Sequence, residues 1–252
     1  MEERFKVLRD TILSQSSSAG VYYLPNKGNW GDALIRQGTL KFLADCGIDF
    51  EEITRDGKDS FEQLEKDKLV LMGGGGSWCN LWDHSIQILE ELSRRHTVIV
   101  LPSSYELQPR FENTTYFSRD RFESVENVPG SIFCHDMAFY LGRDFYPKKP
   151  GRGEGYFFRT DPESANRIAI PKGNRDISRK GKERSRIEGF FRRINRYEKI
   201  FTDRLHVSIA GALLGKEVHL YPGAYFKNLA VLNSSMIGRY EKVFFHDDFQ
   251  FS

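Results

Sequence analysis

Short apolar runs alternate with longer amphipathic segments along the first half of the chain. Residues 21–24, 48–53, 68–72 and 97–101 have the length and apolar content of buried strands, and Pro102 is expected to end the last of them. Apolar side chains recur at helical spacing in three segments, namely residues 2–15, about Asp32 to Gly47, and 86–95. This alternation predicts strands and helices in turn.

The second half continues the pattern. Two short strands at 116–118 and 131–133 flank a small helix at 121–126, and further strands are predicted at 155–159, 199–201 and 218–221. Helices are predicted at 185–195 and 204–214. Such βα alternation predicts an α/β fold with doubly wound parallel sheets. We expect two Rossmann-like halves, 1–128 and 129–252, with the active site in the cleft between them.

Composition narrows the class of protein. With 252 residues, 39% apolar and 29% charged, the chain is typical of a soluble globular protein. A formal charge of +2 is too close to neutral to indicate nucleic-acid binding, and none is expected. Its three cysteines lack the spacing of a zinc site, and no metal is expected. The charged N-terminal helix has no apolar signal region, so we expect a cytoplasmic protein, with work at the inner face of the membrane left open.

Two glycine turns follow predicted strands. Gly73–Gly76, with Gly74 and Gly75 at its centre, allows either a tight turn or close approach of a ligand to the backbone, and the two readings have equal weight. Gly28–Asp32 also ends a strand. Asp32 is better suited to capping the next helix, although substrate contact stays open. In a parallel sheet such turns lie at the carboxyl edge, where ligands bind.

Charged residues occupy similar places. Arg119 follows the 116–118 strand, and Arg159 follows the 155–158 stretch with Asp161 close by. Charge-rich loops usually form surface ion pairs, but side chains at strand ends can also point into a crevice.

The segment from Thr202 to His206 carries the strongest signal. The predicted helix places Arg204 and His206 in its first turn, and Lys227 arrives from the loop after the next strand. A helix N-terminus attracts anions, and histidine transfers protons near neutral pH. Although this helix is apolar enough to bury His206 as a packing residue, catalysis is favoured. The segment predicts a phosphate or carboxylate site with an acid/base group.

Residues 172–199 contain eleven basic and four acidic side chains. A solvated linker is the favoured interpretation. The alternative is a patch that holds a lipid phosphate or an anionic membrane face.

Taken in order, these motifs resemble the polysaccharide pyruvyl transferase family over most of the chain. The resemblance rests on Asn29-Trp30-Gly31-Asp32, Gly73–Gly76, Ser118-Arg119-Asp120, Asp136, Arg159-Thr160-Asp161-x-Glu163, Thr202-Asp203-Arg204-Leu205-His206 and Lys227. It implies a fold similar to the GT-B glycosyltransferases, phosphoenolpyruvate as donor and a cell-surface or exopolysaccharide sugar as acceptor, lipid-linked or not. It names no particular sugar and no oligomeric state.

The resemblance also implies roles for residues. Arg119, Arg204 and Lys227 would hold the donor's phosphate and carboxylate, and His206 would be the acid/base. The remaining expected substrate contacts are Leu205, Gly74, Gly75, Asn29, Asp32 and Arg159. No cofactor is expected besides the donor. Two alternatives stay open, namely a glycosyltransferase that uses a nucleotide sugar and a non-catalytic protein that binds anions or sugars.

Overall fold

The strands form two sheets, and every pairing in both is parallel. The computed structural model describes residues 1–54, 61–82, 84–165 and 170–247. The chain divides into two units, which we call unit 1 (residues 1–27 and 38–137) and unit 2 (residues 28–37 and 138–252). The mixed α/β class with parallel sheets is confirmed. The predicted domain boundary after residue 128 stays a prediction.

Unit 1 contains the larger sheet. Its strands are β1 (Val21–Leu24), β2 (Glu51–Glu52), β3 (Leu69–Met72), β4 (Gly75–Trp78), β5 (Val98–Tyr105), β6 (Thr114–Ser118) and β7 (Ile132–Phe133). Its helices are α1 (Glu3–Gln15), α3 (His84–Ser93) and α4 (Glu123–Asn127), while α2 (Trp30–Asp45) begins in the residues of unit 2 and continues in those of unit 1. A short 3-10 helix covers Phe61–Gln63.

The strand order is β2-β1-β3-β5-β6-β7, and β4 pairs with β5. Strands β1, β3 and β5 are buried along their whole length, as expected for parallel strands covered on both faces. The order reverses between β1 and β3, so the turns after these two strands, at Pro25 and Gly73, lie at a topological switch point.

Two predictions in this sheet are wrong. Pro102 does not end its strand, because β5 runs on to Tyr105. The register against β6 shifts between Val100 and Ser103, so the residue without an N–H lies at an irregularity where the regular ladder is already interrupted. The glycine run is also not wholly a turn, since Gly75 and Gly76 begin β4.

Unit 2 is built on a sheet of order β11-β10-β9-β8. Its strands are β8 (Glu154–Tyr156), β9 (Lys199–Thr202), β10 (Glu217–Leu220) and β11 (Val243–Phe245). Its helices are α5 (Glu188–Ile194), α6 (Leu205–Leu213) and α7 (Lys227–Ser235), with 3-10 turns at Met137–Leu141, which starts in unit 1, and Ser178–Lys180. Side chains of β9 and β10 alternate between buried and half-buried, and α6 is buried at all positions but one.

The structure changes several predicted boundaries. Helix α2 begins at Trp30 rather than Asp32, and the strand predicted over 48–53 is reduced to Glu51–Glu52. Helix α7 and strand β11 are not among the elements predicted from the sequence. Lys227 is therefore the first residue of a helix and not part of a loop.

Candidate functional site

The junction between β9 and α6 positions Arg204. The residue has extended backbone angles (φ −91°, ψ 109°) and is the N-cap of α6, one position before the predicted first turn. Its N–H donates to the Thr202 hydroxyl at 2.9 Å. Because the N-cap is outside the helical geometry, the guanidinium leaves the helix and reaches two carboxylates. It bonds Asp176 through Nη2 and Nε at 2.6 and 3.0 Å, and Asp161 through Nη2 at 2.6 Å.

Arg159 and Lys227 belong to the same network. Arg159 donates from Nε to Asp161 at 2.9 Å and from Nη1 to Glu163 at 2.5 Å. The ammonium of Lys227 pairs with the same Glu163 carboxylate. Asp161 therefore bridges the two arginines, and Glu163 bridges Arg159 to the start of α7.

The network, which we call the ionic cluster, combines three cations with four carboxylates. Its members are Arg159, Asp161, Glu163, Asp176, Asp203, Arg204 and Lys227. All three cations are buried. Since three positive and up to four negative charges balance closely, the cations are preorganised and already neutralised from within the chain.

The pKa values follow from this arrangement. Burial opposes ionisation of the Asp161 carboxyl, but the charges of Arg159 and Arg204 outweigh it and lower its pKa. Burial also opposes the charge on Arg159, while Glu163 and Asp161 raise the pKa of its guanidinium. Asp203 differs, because burial dominates over its bond from the Arg159 N–H and raises its pKa to about 6.

His206 lies one residue inside α6, where its imidazole is half-buried against the start of α2. A Cβ built on Gly31 would overlap the imidazole Nδ1, so only glycine fits there with the ring in this position. Gly31 is in the first turn of α2. The amino ends of α2 and α6 thus meet at His206, so an imidazole, a side chain able to carry a proton, lies near the N–H groups of two helix ends.

Residues 29–32 form a capping box. The Asn29 side chain accepts the Gly31 N–H at 2.7 Å, and the Asp32 carboxylate accepts the Asn29 N–H at 2.8 Å. Asp32 therefore takes part in capping, the interpretation favoured from sequence. Trp30 anchors this turn within unit 2, because its indole N–H donates to the Arg186 carbonyl at 3.0 Å and its ring meets Phe190 edge-on at 5.6 Å.

Leu205 is buried as the first residue of α6, and its carbonyl accepts the Ser208 hydroxyl. Its side chain is part of the packing of α6. Unit 2 therefore brings together seven of the predicted site residues in two adjoining sets. The ionic cluster holds Arg159, Arg204 and Lys227, and the α2–α6 contact holds Asn29, Asp32, Leu205 and His206.

Arg119, Gly74 and Gly75 belong to unit 1. Arg119 is 1% exposed, and it pairs with Asp136 at 2.7 Å and donates to the Ser104 hydroxyl at 2.9 Å. This ion pair is buried and not on the surface. A Cβ on Gly74 would overlap the Pro102 carbonyl, so the absence of a side chain there serves backbone packing against β5. The substrate-binding roles of these three residues stay predictions.

The basic segment is a folded part of unit 2 and not a linker. Residues 172–199 contain α5 and a 3-10 turn, and Ile177, Phe190 and Phe191 are buried. Asp176 from this segment holds Arg204. Asp176 and Glu163 are not predicted as counterions from the sequence, whereas an ion pair in the charged loop of Arg159 and Asp161 is one of the two expectations, and it forms with Arg159 buried. The one available signal was the presence of a few acidic residues near the predicted cations.

Comparison with known proteins decides the family. A model of the family described as polysaccharide pyruvyl transferase matches residues 29–222, well over half of the chain. The chain belongs to the polysaccharide pyruvyl transferase family. The match begins at Asn29 in the capping box and includes both Arg204 and His206, whereas Lys227 lies beyond it.

A solved structure supports the fold. A functional uncharacterized protein from Klebsiella pneumoniae subsp. pneumoniae is similar with a TM-score of 0.82 and 26% sequence identity, over 98% of this chain and 100% of that one. No curated protein matches the chain.

Family membership indicates pyruvyl transfer in polysaccharide biosynthesis. None of the helices in the described residues combines the length and the hydropathy of a membrane-spanning segment. The same residues contain no group of three or more His, Cys, Asp or Glu side chains arranged to hold a metal ion.

Proposed function

We propose that this pyruvyl transferase uses phosphoenolpyruvate as donor and forms a ketal with hydroxyls of a saccharide acceptor. The observation that carries the proposal is the contact of His206 with the start of α2, with Arg204 two residues earlier and fixed in the ionic cluster. A proton carrier beside buried cations suits a donor that bears a phosphate, a carboxylate and a carbon to be protonated.

The donor's anions would replace carboxylates of the ionic cluster. Asp161 is the best candidate to yield, because its side chain is 23% exposed against 6% for Asp176. It also contacts both Arg159 and Arg204, so turning Asp161 to solvent removes one carboxylate partner from each of two guanidinium groups, while Glu163 and Asp176 still position them. Guanidinium groups bind phosphate or carboxylate in the same bidentate manner, and Lys227 adds a third positive charge.

His206 would then act as general acid. Its imidazolium protonates the methylene carbon of phosphoenolpyruvate, which consumes the C=C electron pair, forms the methyl group and leaves an oxocarbenium-like centre at the adjacent carbon. A saccharide hydroxyl attacks this centre, forming a C–O bond, and its proton passes to His206. The proton carrier is thereby restored.

Departure of phosphate completes the reaction. The bond between the ketal carbon and the phosphate oxygen breaks with its electron pair on phosphate, which Arg204, Arg159 and Lys227 stabilise. A second saccharide hydroxyl bonds to the same carbon, and its proton leaves with the phosphate. The sum is one cyclic ketal and one hydrogen phosphate. No electrons are gained or lost, so the reaction requires no redox cofactor.

The test is phosphate release from phosphoenolpyruvate in the presence of a panel of galactosides and N-acetylmannosamine-type saccharides, with the ketal product identified by mass. His206→Gln should lower kcat by roughly 10²–10⁴-fold, the usual contribution of a general acid. His219→Gln is the matched control, since His219 is a half-buried histidine of unit 2 on β10 and outside the ionic cluster.

Full turnover by His206→Gln would remove His206 from the mechanism. Binding of phosphoenolpyruvate without phosphate release, at any enzyme concentration and with every acceptor, would identify a non-catalytic binding protein. Product formation from a nucleotide sugar and not from phosphoenolpyruvate would identify a glycosyltransferase.

A further inference from the structure

We propose that a cavity in unit 2, next to the ionic cluster, binds the phosphate or diphosphate group of a phosphate-linked acceptor. We call it the basic cavity. Its volume is about 590 Å³, and four cationic side chains line it, namely Arg175, Lys180, Arg193 and Arg196. That the bound group belongs to the acceptor rests on the proposed function, whereas the binding of a phosphate group does not.

The cations of the basic cavity are available to a ligand. Among the described parts of the chain, the side chains of Arg175, Lys180 and Arg196 form no ion pair. Arg193 donates once to the Gly189 carbonyl at 2.9 Å and stacks over Trp30 at 5.0 Å. The cations of the ionic cluster, in contrast, are all paired with carboxylates.

Of the described residues, Asp176 is the one carboxylate that lines the basic cavity, and both of its oxygens accept hydrogen bonds from Arg204. Four positive charges against one engaged negative charge leave a formal excess of three. A local excess of this size, in a chain with a net charge of only +2, creates a positive potential confined to the cavity.

The walls favour a compact ligand. Phe157 and Tyr197 line the cavity and meet edge-on, with ring centroids 5.7 Å apart. Aromatic walls of low polarity strengthen charge–charge interactions relative to a fully aqueous surface. The volume lies in the range of small-molecule sites, and converging guanidinium groups match the several oxygens of a phosphate better than a single carboxylate.

The position of Asp176 links the basic cavity to the proposed donor site. Its carboxylate lines the cavity and holds Arg204 of the ionic cluster. A diphosphate bound by the cavity cations therefore lies next to the side chain that fixes Arg204. Only the Asp176 side chain then separates the diphosphate, and the beginning of its attached sugar, from Arg204, one of the cations proposed to hold phosphoenolpyruvate.

The test is calorimetric titration of the full-length protein with inorganic pyrophosphate, in the absence and in the presence of saturating phosphoenolpyruvate. Arg196→Gln and Arg175→Gln should each weaken pyrophosphate binding about tenfold, as expected for the loss of one charge-assisted contact. Arg192→Gln is the matched control. It is an exposed arginine of the same helix as Arg193, and it does not line the cavity. Its affinity should equal that of the wild type.

Several results would overturn the proposal. These are absence of pyrophosphate binding to the wild-type protein, equal weakening by Arg192→Gln, and loss of binding when phosphoenolpyruvate saturates the protein. The last would assign pyrophosphate to the donor site. A failure of the proposed function is distinguishable, because pyrophosphate would still bind in an Arg196-dependent manner while phosphoenolpyruvate neither bound nor reacted.

Two further probes identify the source of the group. Tighter binding of a short prenyl diphosphate than of pyrophosphate supports a lipid-linked acceptor, and tighter binding of uridine diphosphate supports a nucleotide-linked one. Both must lose affinity in Arg196→Gln. If Arg196→Gln left the affinity of either probe unchanged, the assignment of that probe to the basic cavity would be contradicted.

Discussion

The contact between Gly31 and His206 gives a direct way to separate catalysis from folding. In Gly31→Ala, the new methyl group occupies the space of the imidazole Nδ1, and the ring must move by about 1 Å to restore van der Waals separation. Misplacement of a catalytic group by this distance costs about 10²-fold in rate, or about 2.7 kcal/mol of activation free energy. We expect kcat to fall by that factor and the KM for phosphoenolpyruvate to change much less.

The effect on stability should be small. Overpacking destabilises a folded protein by roughly 1–3 kcal/mol, while replacing a helical glycine with alanine stabilises the helix by up to about 1 kcal/mol. A net loss of about 2 kcal/mol or less in the free energy of unfolding, measured with urea, leaves the protein folded under assay conditions. Gly223→Ala is the matched control, because its Cβ would lie 3.7 Å from the nearest atom.

The assay is phosphate release measured for Gly31→Ala, His206→Gln and the double variant. If Gly31→Ala acts through the imidazole, the double variant should be no slower than His206→Gln alone, since coupled residues do not act additively. A folded Gly31→Ala protein with the wild-type kcat would refute the reasoning. A double variant whose rate loss equals the product of the losses of the two single variants would also refute it.

Three further predictions concern the ionic cluster. The Asp203 carboxyl has a pKa raised to about 6, so its protonated form stabilises the folded state at low pH. This stabilisation, roughly 3 kcal/mol, is lost as the pH rises from about 4 to about 7. In Asp203→Asn this pH-dependent loss of stability should be absent, which is measured as a flatter dependence of Tm on pH. Arg204→Ala leaves the buried Asp176 without its bidentate partner and should lower the free energy of unfolding by about 3–5 kcal/mol in urea titrations, whereas a change below 1 kcal/mol would contradict the pairing. Asp161→Asn removes the charge that competes with the donor and should lower the KM for phosphoenolpyruvate about tenfold. An unchanged or raised KM would count against displacement of Asp161 by the donor.

Local patterns predicted the elements well where burial is local. The fully apolar runs before Pro25 and Gly73 were identified as strands, and the alternation of strands with helices gave the parallel α/β class. Pro102 was misread because its effect depends on the register of neighbouring strands, which a single run of sequence does not contain. Helix α7 was missed because its polar first turn, at Lys227 and Asn228, is buried by tertiary contacts and has no apolar signature of its own.

The chemical groups of the site and their order along the chain can be read from the amino-acid sequence alone. Arg204 and His206 flank the start of an apolar segment, and that pattern is sufficient to predict a helix N-terminus with a cation and a proton carrier. Helix periodicity and capping preferences act over a few residues, so they can be read without the rest of the fold.

The contacts of those groups depend on the folded chain. Asp161 and Asp176 reach Arg204 from segments distant in sequence, and Gly31 meets His206 through the meeting of two helix ends. Ion pairing and close packing depend on which segments fold together. Burying a charge is unfavourable without a partner of opposite charge, and only the fold brings that partner from a distant segment. The predicted anion site is therefore a balanced, buried cluster, and the cavity beside it is lined by cations that form no ion pair with the described residues.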